Sequence, residues 1–239
     1  MDATSLAQEL DSRLPSWQRS LDAVLLTTPR QDHLNGLLDI VQRYEIREVL
    51  DGGMLHPGTT YTLWRRTISE RNFRYLAANQ GMSINIGIFL SLQILWPGLP
   101  LHKGGDEVRD NGLIVRITMP GLRLLLLGAS AQSRYALTGL LNDIDTSYLQ
   151  AEVVQMVEEA RTSFPEELSS VLQRSNPTDL LLTPAALSAK QRKTGIQAIG
   201  PVSALTRDGR WQASQIIQTA VEGTIEVSNS QSGWSINIV

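Results

Sequence analysis

The segment from Leu21 to Leu50 constrains the fold most. Leu21 to Thr27 is an apolar run of strand length. Thr28-Pro29-Arg30-Gln31-Asp32-His33 breaks it with a tight polar turn, and Leu34, Leu37, Leu38 and Val41 then recur at helical spacing up to Tyr44. Ile46 to Leu50 is again short and apolar, and Asp51-Gly52-Gly53 ends it. A period near 3.6 between two apolar runs predicts strand, helix, strand, which only a helix-covered sheet can bury.

The rest of the chain continues the alternation. Helices are predicted over Leu6 to Leu14, where Pro15 stops the first, and over Thr59 to Arg71, Ala131 to Leu141, Pro165 to Gln173 and, more weakly, Ala185 to Lys193. Strands are expected at Phe73 to Ala77, Glu152 to Met156 and Leu180 to Leu182, and short strands from Gln197 on, ending in Gly223 to Val227 and Trp234 to Val239. The most apolar stretch, Ile84 to Leu101, has apolar residues at every even position from Ile84 to Ile94. That period of two describes strands, not a membrane helix. Leu113, Val115 and Ile117 alternate before Met119-Pro120-Gly121, and Leu122, Leu124 and Leu126 alternate after it, which is a hairpin.

Composition excludes several functions. With 42% hydrophobic and 19% charged residues the chain suits a folded domain rather than a disordered one. A net charge of −3 removes any case for nucleic-acid binding by the molecule as a whole, so such contact needs a local basic patch. The chain has no cysteine, which excludes disulfides, thiolate metal sites and cysteine nucleophiles. The first residues lack the basic and apolar regions of a secretory signal, and no repeat or low-complexity linker divides the 239 residues. We expect one domain over 1–239, soluble as given.

The turn at Thr28 to His33 resembles the first ligand turn of the metallo-β-lactamase superfamily, His-x-(His or Asp)-x-Asp-His. Asp32 and His33 are kept, while Thr28 and Arg30 stand at the other two ligand positions. In its nearest form the resemblance is to the C-terminal domain of ComEC, the DNA-uptake channel proteins of competent bacteria. Leu14-Pro15 with Trp17 and Arg19, then Asn35-Gly36-Leu37, Arg43-Tyr44, Trp96-Pro97, Asp110-Asn111-Gly112-Leu113-Ile114-Val115 and the strand Leu122 to Leu127 with Gly128 match that family in order and spacing. The resemblance implies an α/β fold of mixed sheets, a four-layer αββα sandwich. Two N-terminal strands of the family precede the point where this chain starts, so the first sheet is expected to be incomplete and the chain to be shortened or a piece of a longer protein. It further implies a relation to a membrane channel portion and an extracytoplasmic position on a bacterial membrane protein.

The resemblance also predicts a dismantled centre. Ala129 replaces the family's bridging acid, Glu158-Glu159-Ala160-Arg161 replaces its His-His-Gly-Ser, and no histidine follows Thr183. A hydrolytic zinc holds about three protein ligands and one water, and the chain has 3 histidines in all, His33, His56 and His102. A guanidinium at Arg30 cannot deprotonate to admit a cation. Two unit charges ~4 Å apart repel by roughly 4 kcal/mol at an effective dielectric of 20, and a dication doubles that. We therefore expect no cofactor and no turnover, with Asp32 capping the helix or pairing with Arg30, and His33 bonded locally. The alternative is a metal-dependent nuclease or phosphodiesterase acting on DNA, with zinc, manganese or magnesium held by Asp32, His33 and Glu158. Arg65, Arg66, Arg71 and Arg74, beside Tyr61 and Trp64, form the candidate surface for weak contact with single-stranded DNA, and Lys190, Arg192 and Lys193 form a second basic cluster. Ser130 is set aside as a nucleophile, because no His and Asp complete a triad.

Overall fold

The computed structural model describes residues 3–56, 58–158, 164–184, 205, 211–212, 215–219, 225–230 and 233–238. Helix α1 (Ala3–Arg13) leads into β1 (Ser20–Leu26), α2 (Gln31–Arg43), β2 (Glu45–Asp51), α3 (Thr59–Glu70) and β3 (Arg74–Ala77). The strands β1, β2 and β3 pair in parallel, in that order. Parallel neighbours need a crossover between them, and α2 and α3 supply it. This is the physical content of the apolar run, polar turn and 3.6-residue period in the sequence.

A second sheet has seven strands in the order β10-β9-β8-β7-β6-β5-β4. Its members are β4 (Ser83–Ile86), β5 (Leu90–Trp96), β6 (Ile114–Met119), β7 (Leu122–Gly128), β8 (Val153–Glu158), β9 (Asp179–Pro184) and β10 (Ile216–Gln218). The strands β4 to β7 are antiparallel, and β7 to β10 parallel. The turn between β6 and β7 places Gly121 at φ +76°, a conformation that favours glycine. A short α4 (Glu107–Asp110) precedes β6. After β7 come a 3-10 turn (Ala129–Gln132), α5 (Arg134–Asp143) and α6 (Thr146–Leu149), and α7 (Glu166–Ser175) joins β8 to β9. Ser133 starts α5 by accepting from the Ala136 N–H at 2.9 Å.

Three apolar layers stack these elements. Val24, Leu26, Ile46 and Val49 pack under Leu34, Val41, Tyr61, Trp64 and Ile68 of α2 and α3. The other face of the first sheet, with Ala23, Leu25, Leu50 and Leu76, meets Leu92, Ile94, Val115 and Ile117 of the second. The far face of the second sheet, with Leu125, Leu127, Val154, Met156 and Leu180, packs on α5 and α7 through Leu137, Leu140, Leu168 and Val171. Helices thus pack on the outer face of each sheet, and the two sheets face one another. The three-stranded sheet does not cover the whole inner face. The antiparallel pair β11 (Ile225–Ser230) and β12 (Gly233–Ile238) covers part of the rest, with Val227, Trp234 and Ile236 against Leu122, Val153 and Leu181.

The helix expected over Ala185 to Lys193, with its cluster of Lys190, Arg192 and Lys193, lies outside the described residues. No described helix is long and apolar enough to cross a membrane, and Ile84 to Trp96 is a strand pair, as its period of two requires.

Candidate site at the carboxyl ends of the strands

Ligands of parallel α/β sheets bind beyond the carboxyl ends of the strands, and here the two sheets meet at that edge. The Leu113 N–H donates to the Thr27 carbonyl at 2.7 Å, which joins the end of β1 to the start of β6. A Cβ on Gly52 would stand 3.0 Å from the Asn111 carbonyl, and one on Gly128 would stand 3.8 Å from the Thr27 hydroxyl. Thr27, Pro29, Asp51, Gly52, Met54, Tyr61 and Asn111 line a small cavity between them.

The four ligand positions at the first turn are arranged as follows. Thr28 is 1% exposed, and its hydroxyl has no hydrogen-bond partner. Arg30 is half-buried and takes the N-cap position of α2 with φ −80° and ψ 144°. Asp32 is therefore the second residue of the helix and not its cap, which corrects the expected capping role. The side chains of Asp32, His33 and Glu158 lie outside the described residues. The backbones of Asp32 and His33, in the first turn of α2, and of Glu158, the last residue of β8, come to this same edge. Ala129 is fully buried. The Ser130 hydroxyl, also buried, donates to the Arg109 carbonyl at 3.0 Å, so it is held by backbone rather than by a base.

The carboxylate that organises this edge is one the motif search passed over. Asp51 ends β2 and is 2% exposed. Its Oδ1 accepts from the Gly53 N–H at 2.8 Å and from the Tyr75 hydroxyl. Its Oδ2 accepts from the Tyr61 hydroxyl at 3.2 Å and the Trp64 indole N–H at 3.4 Å, with Arg65 Nη1 at 3.7 Å. Burial and then the Asp51 charge push the hydroxyl pKa of Tyr61 far up, and burial and the hydrogen bond to Asp51 do the same at Tyr75. A signal was present in the sequence. Tyr61 and Trp64 fall on the apolar face of α3, and a buried phenol and indole each need an acceptor.

A second polar cluster lies at the start of β6. Asp110 accepts from the Ser133 hydroxyl at 2.6 Å and lies 3.1 Å from Nδ1 of His102. The His102 ring stacks on Tyr135 at 3.8 Å, and Trp96 donates to the Asp110 carbonyl at 2.7 Å. The carboxylate stands between hydroxyl and imidazole, so the imidazole cannot take the Ser133 proton. His56 accepts from the Gly58 N–H at 3.1 Å. Among the described residues no three His, Asp or Glu side chains gather in a way that could hold a metal ion.

The arginines expected to form a DNA-facing patch do not form one open face. Arg65 lies over the Tyr75 ring at 3.7 Å, beside Asp51. Arg66 pairs with Glu70, Arg71 with Glu45 and Arg74 with Glu48. Arg71 also donates to the Gln42 and Tyr44 carbonyls at the end of α2. Tyr61 and Trp64 point into the core and cannot stack on bases, because the helix buries the face they share.

No protein-family profile matches this sequence, and no curated protein matches it. Solved structures do. A variant of the CmlA β-hydroxylase superimposes with a TM-score of 0.57 at 15% identity, over 87% of this chain and 44% of that one. CmlA itself, a diiron β-hydroxylase from Streptomyces venezuelae, gives 0.55 at 15% identity over the same shares. Igni18, a metallo hydrolase from the hyperthermophilic archaeon Ignicoccus hospitalis, gives 0.40 at 14% identity, over 68% of this chain and 62% of that one. The chain thus spans 44% of the length of the CmlA structures it matches. The likeness shows the fold alone, an α/β arrangement of sheets covered by helices that is shared with the CmlA structures. The expectation of a cofactor-free chain is corrected by the same finding, because a structure sharing this fold belongs to a diiron enzyme. The side chains described at the carboxyl edge do not on their own form such a centre, and no reaction step is derived through a metal.

Proposed function

We propose that this chain is a catalytically degenerate metallo-β-lactamase-like domain that serves as a binding or structural module, related to ComEC-type DNA uptake. The observation that carries the proposal is the set of side chains described at the edge where a hydrolytic centre would open. Thr28 and Ala129, at two ligand positions, are buried, and the adjacent Asp51 spends both oxygens on Tyr61, Trp64, Tyr75, Gly53 and Arg65. A carboxylate saturated in this way holds β2, β3 and α3 together and has no lone pair directed at a substrate.

The test is a phosphodiesterase assay. Bis(p-nitrophenyl) phosphate and single-stranded DNA are offered to the purified chain with manganese, zinc or ferrous iron supplied. We expect no turnover above the metal-only blank. Metal-dependent turnover that disappears in His33→Ala overturns the proposal and selects the second reading, a metal-dependent nuclease using Asp32, His33 and Glu158. The diiron neighbour favours that reading, as does the convergence of those three backbone positions at one edge.

Contact with single-stranded DNA is, on this proposal, weak and salt-sensitive, because Arg65, Arg66, Arg71 and Arg74 already have carboxylate partners. Each phosphate neutralised contributes about 0.7 to the slope of log affinity against log salt. Arg66→Glu with Arg74→Glu tests it cleanly, since both side chains are more than two-thirds exposed. Tight binding that survives both high salt and this charge reversal sinks the electrostatic account.

A further inference from the structure

The far face of the second sheet carries a guanidinium, Arg116, that forms no ion pair among the described residues. Alternation on β6 puts Val115 and Ile117 inward and Ile114 outward, so Arg116 and Thr118 face outward. The sheet register brings Gln93 opposite Arg116 and Arg123 opposite Thr118. These residues cluster at the end of the sheet remote from the ligand turn, since Arg123 is the second residue of β7 and Thr118 the fifth of β6.

Arg116 is held by a side-chain amide rather than by a carboxylate. Its Nη1 donates to the Gln93 amide oxygen at 2.9 Å, and its Nε is buried with no partner. Two residues along the same face, the Thr118 hydroxyl is also buried and unpartnered. The nearby acid, Glu152, is fully engaged. It takes Arg123 Nη2 at 2.5 Å, Arg123 Nε at 3.1 Å and the Arg123 backbone N–H at 2.6 Å. Arg123 also donates to the Gln150 side chain at 3.4 Å. Two guanidinium groups against one carboxylate leave a net positive charge. Burial first, and then the Arg123 charge, push the Arg116 pKa down. A protein pairs a half-buried guanidinium with a carboxylate or supplies another anion, since an uncompensated charge is expensive to bury. A guanidinium fork beside a hydroxyl is donor chemistry suited to a tetrahedral oxyanion. Tyr148 on α6 has its ring centroid 5.9 Å from the Arg116 guanidinium carbon and is 45% exposed, so it borders the group on the solvent side.

We propose that Arg116, Thr118 and Gln93 form a binding site for a phosphate-type oxyanion, with Arg123 reinforcing the positive field and Tyr148 bordering it on the solvent side. The site is separate from the carboxyl edge and needs no metal. The probe is inorganic phosphate, titrated into the wild-type chain at constant ionic strength balanced with chloride, and followed by backbone amide shifts. Saturable shifts at β5, β6 and β7 are expected, with binding at least ~10-fold weaker in Arg116→Met. That factor corresponds to the loss of one charge-assisted fork. Arg116→Lys, which keeps the charge but not the fork, should fall between the two. Arg47→Gln, on a surface ion pair with Asp22, should bind as wild type. Dimethyl phosphate in a parallel arm separates the sources: binding of the diester as strong as that of phosphate points to a nucleic-acid or lipid backbone, and preference for phosphate points to a free or terminal phosphate group. Non-saturable shifts equal for phosphate and chloride overturn the site. So does equal weakening in Arg47→Gln. If Arg116→Met fails to fold, Thr118→Val and the wild-type titration still decide the matter.

Discussion

Removing the Asp51 carboxylate isolates the contribution of a group that joins three elements. In Asp51→Ala the Tyr61 hydroxyl and the Trp64 N–H lose their acceptor. Both residues are nearly sealed, at 3% and 0% exposure, so water cannot replace it. Each orphaned buried donor costs about 1–3 kcal/mol, so the pair costs roughly 2–6 kcal/mol. Tyr75 and Arg65 are partly exposed and can turn to water, so they are left out of the sum. A typical domain holds about 5–15 kcal/mol in total, so the variant should unfold at visibly lower urea. With a slope of about 3 kcal/mol per molar, a loss of about 4 kcal/mol moves the midpoint by more than about 1 M. The second arm of the experiment is Tyr61→Phe. In the wild type it deletes a hydrogen bond to a charged acceptor, worth about 1.5–3 kcal/mol. In the Asp51→Ala background it deletes a stranded hydroxyl and should be neutral or stabilising. The two backgrounds thus give opposite or unequal effects, which is the signature of direct coupling. A loss below about 1 kcal/mol in Asp51→Ala, or the same cost for Tyr61→Phe in both backgrounds, refutes the reasoning.

Three further outcomes follow from single contacts. Because burial and Asp51 hold Tyr61 and Tyr75 protonated, an alkaline absorbance titration should show these two ionising only as the chain unfolds, with Tyr44 also raised by its hydrogen bond to Asp11; ionisation of Tyr61 and Tyr75 in folded protein contradicts the network. At Glu152 burial pushes the carboxyl up, but the hydrogen bonds from Arg123 outweigh it and hold the pKa below the ordinary 4.5. The stabilisation is therefore complete above about pH 4.5 and is lost as pH falls through the lowered value. The gap in stability between wild type and Glu152→Gln should accordingly hold steady from pH 6 to 8 and narrow below that point; a gap unchanged in acid would count against it. A Cβ at Gly139 of α5 would collide with the Trp96 ring, so Gly139→Ala should cost about 1–3 kcal/mol by overpacking against a helix-propensity gain of about 1 kcal/mol; a more stable variant in urea would show that the ring yields.

The carboxyl edge was partly legible in advance. The turn from Thr28 to His33 lies where the motif implies, and Asp51-Gly52-Gly53 ends its strand as read. Asp51 was seen only as punctuation, however, because a carboxylate before two glycines reads locally as a turn. Its role depends on Tyr61, Trp64 and Tyr75, which are 10, 13 and 24 residues away. Likewise Arg65 and Arg66 are adjacent in sequence, yet one lies over the half-buried Tyr75 ring and the other is in solvent. Successive helical positions point about 100° apart, so neighbours in a charged pair need not share a face.

The sequence by itself determined the order and kind of the elements. The spacing of Leu34, Leu38 and Val41, and the alternation on both sides of Met119-Pro120-Gly121, state which face of each element is apolar, and that property belongs to one segment alone. Only the tertiary structure decided which polar groups meet. The register pairing Val49 with Tyr75 brings a phenol to Asp51, and the register placing Gln93 opposite Arg116 leaves that guanidinium without an acid. Hydrogen bonds and ion pairs act over about 3 Å, and distances that short between remote segments are set by how the sheets and helices pack rather than by any pattern along the chain.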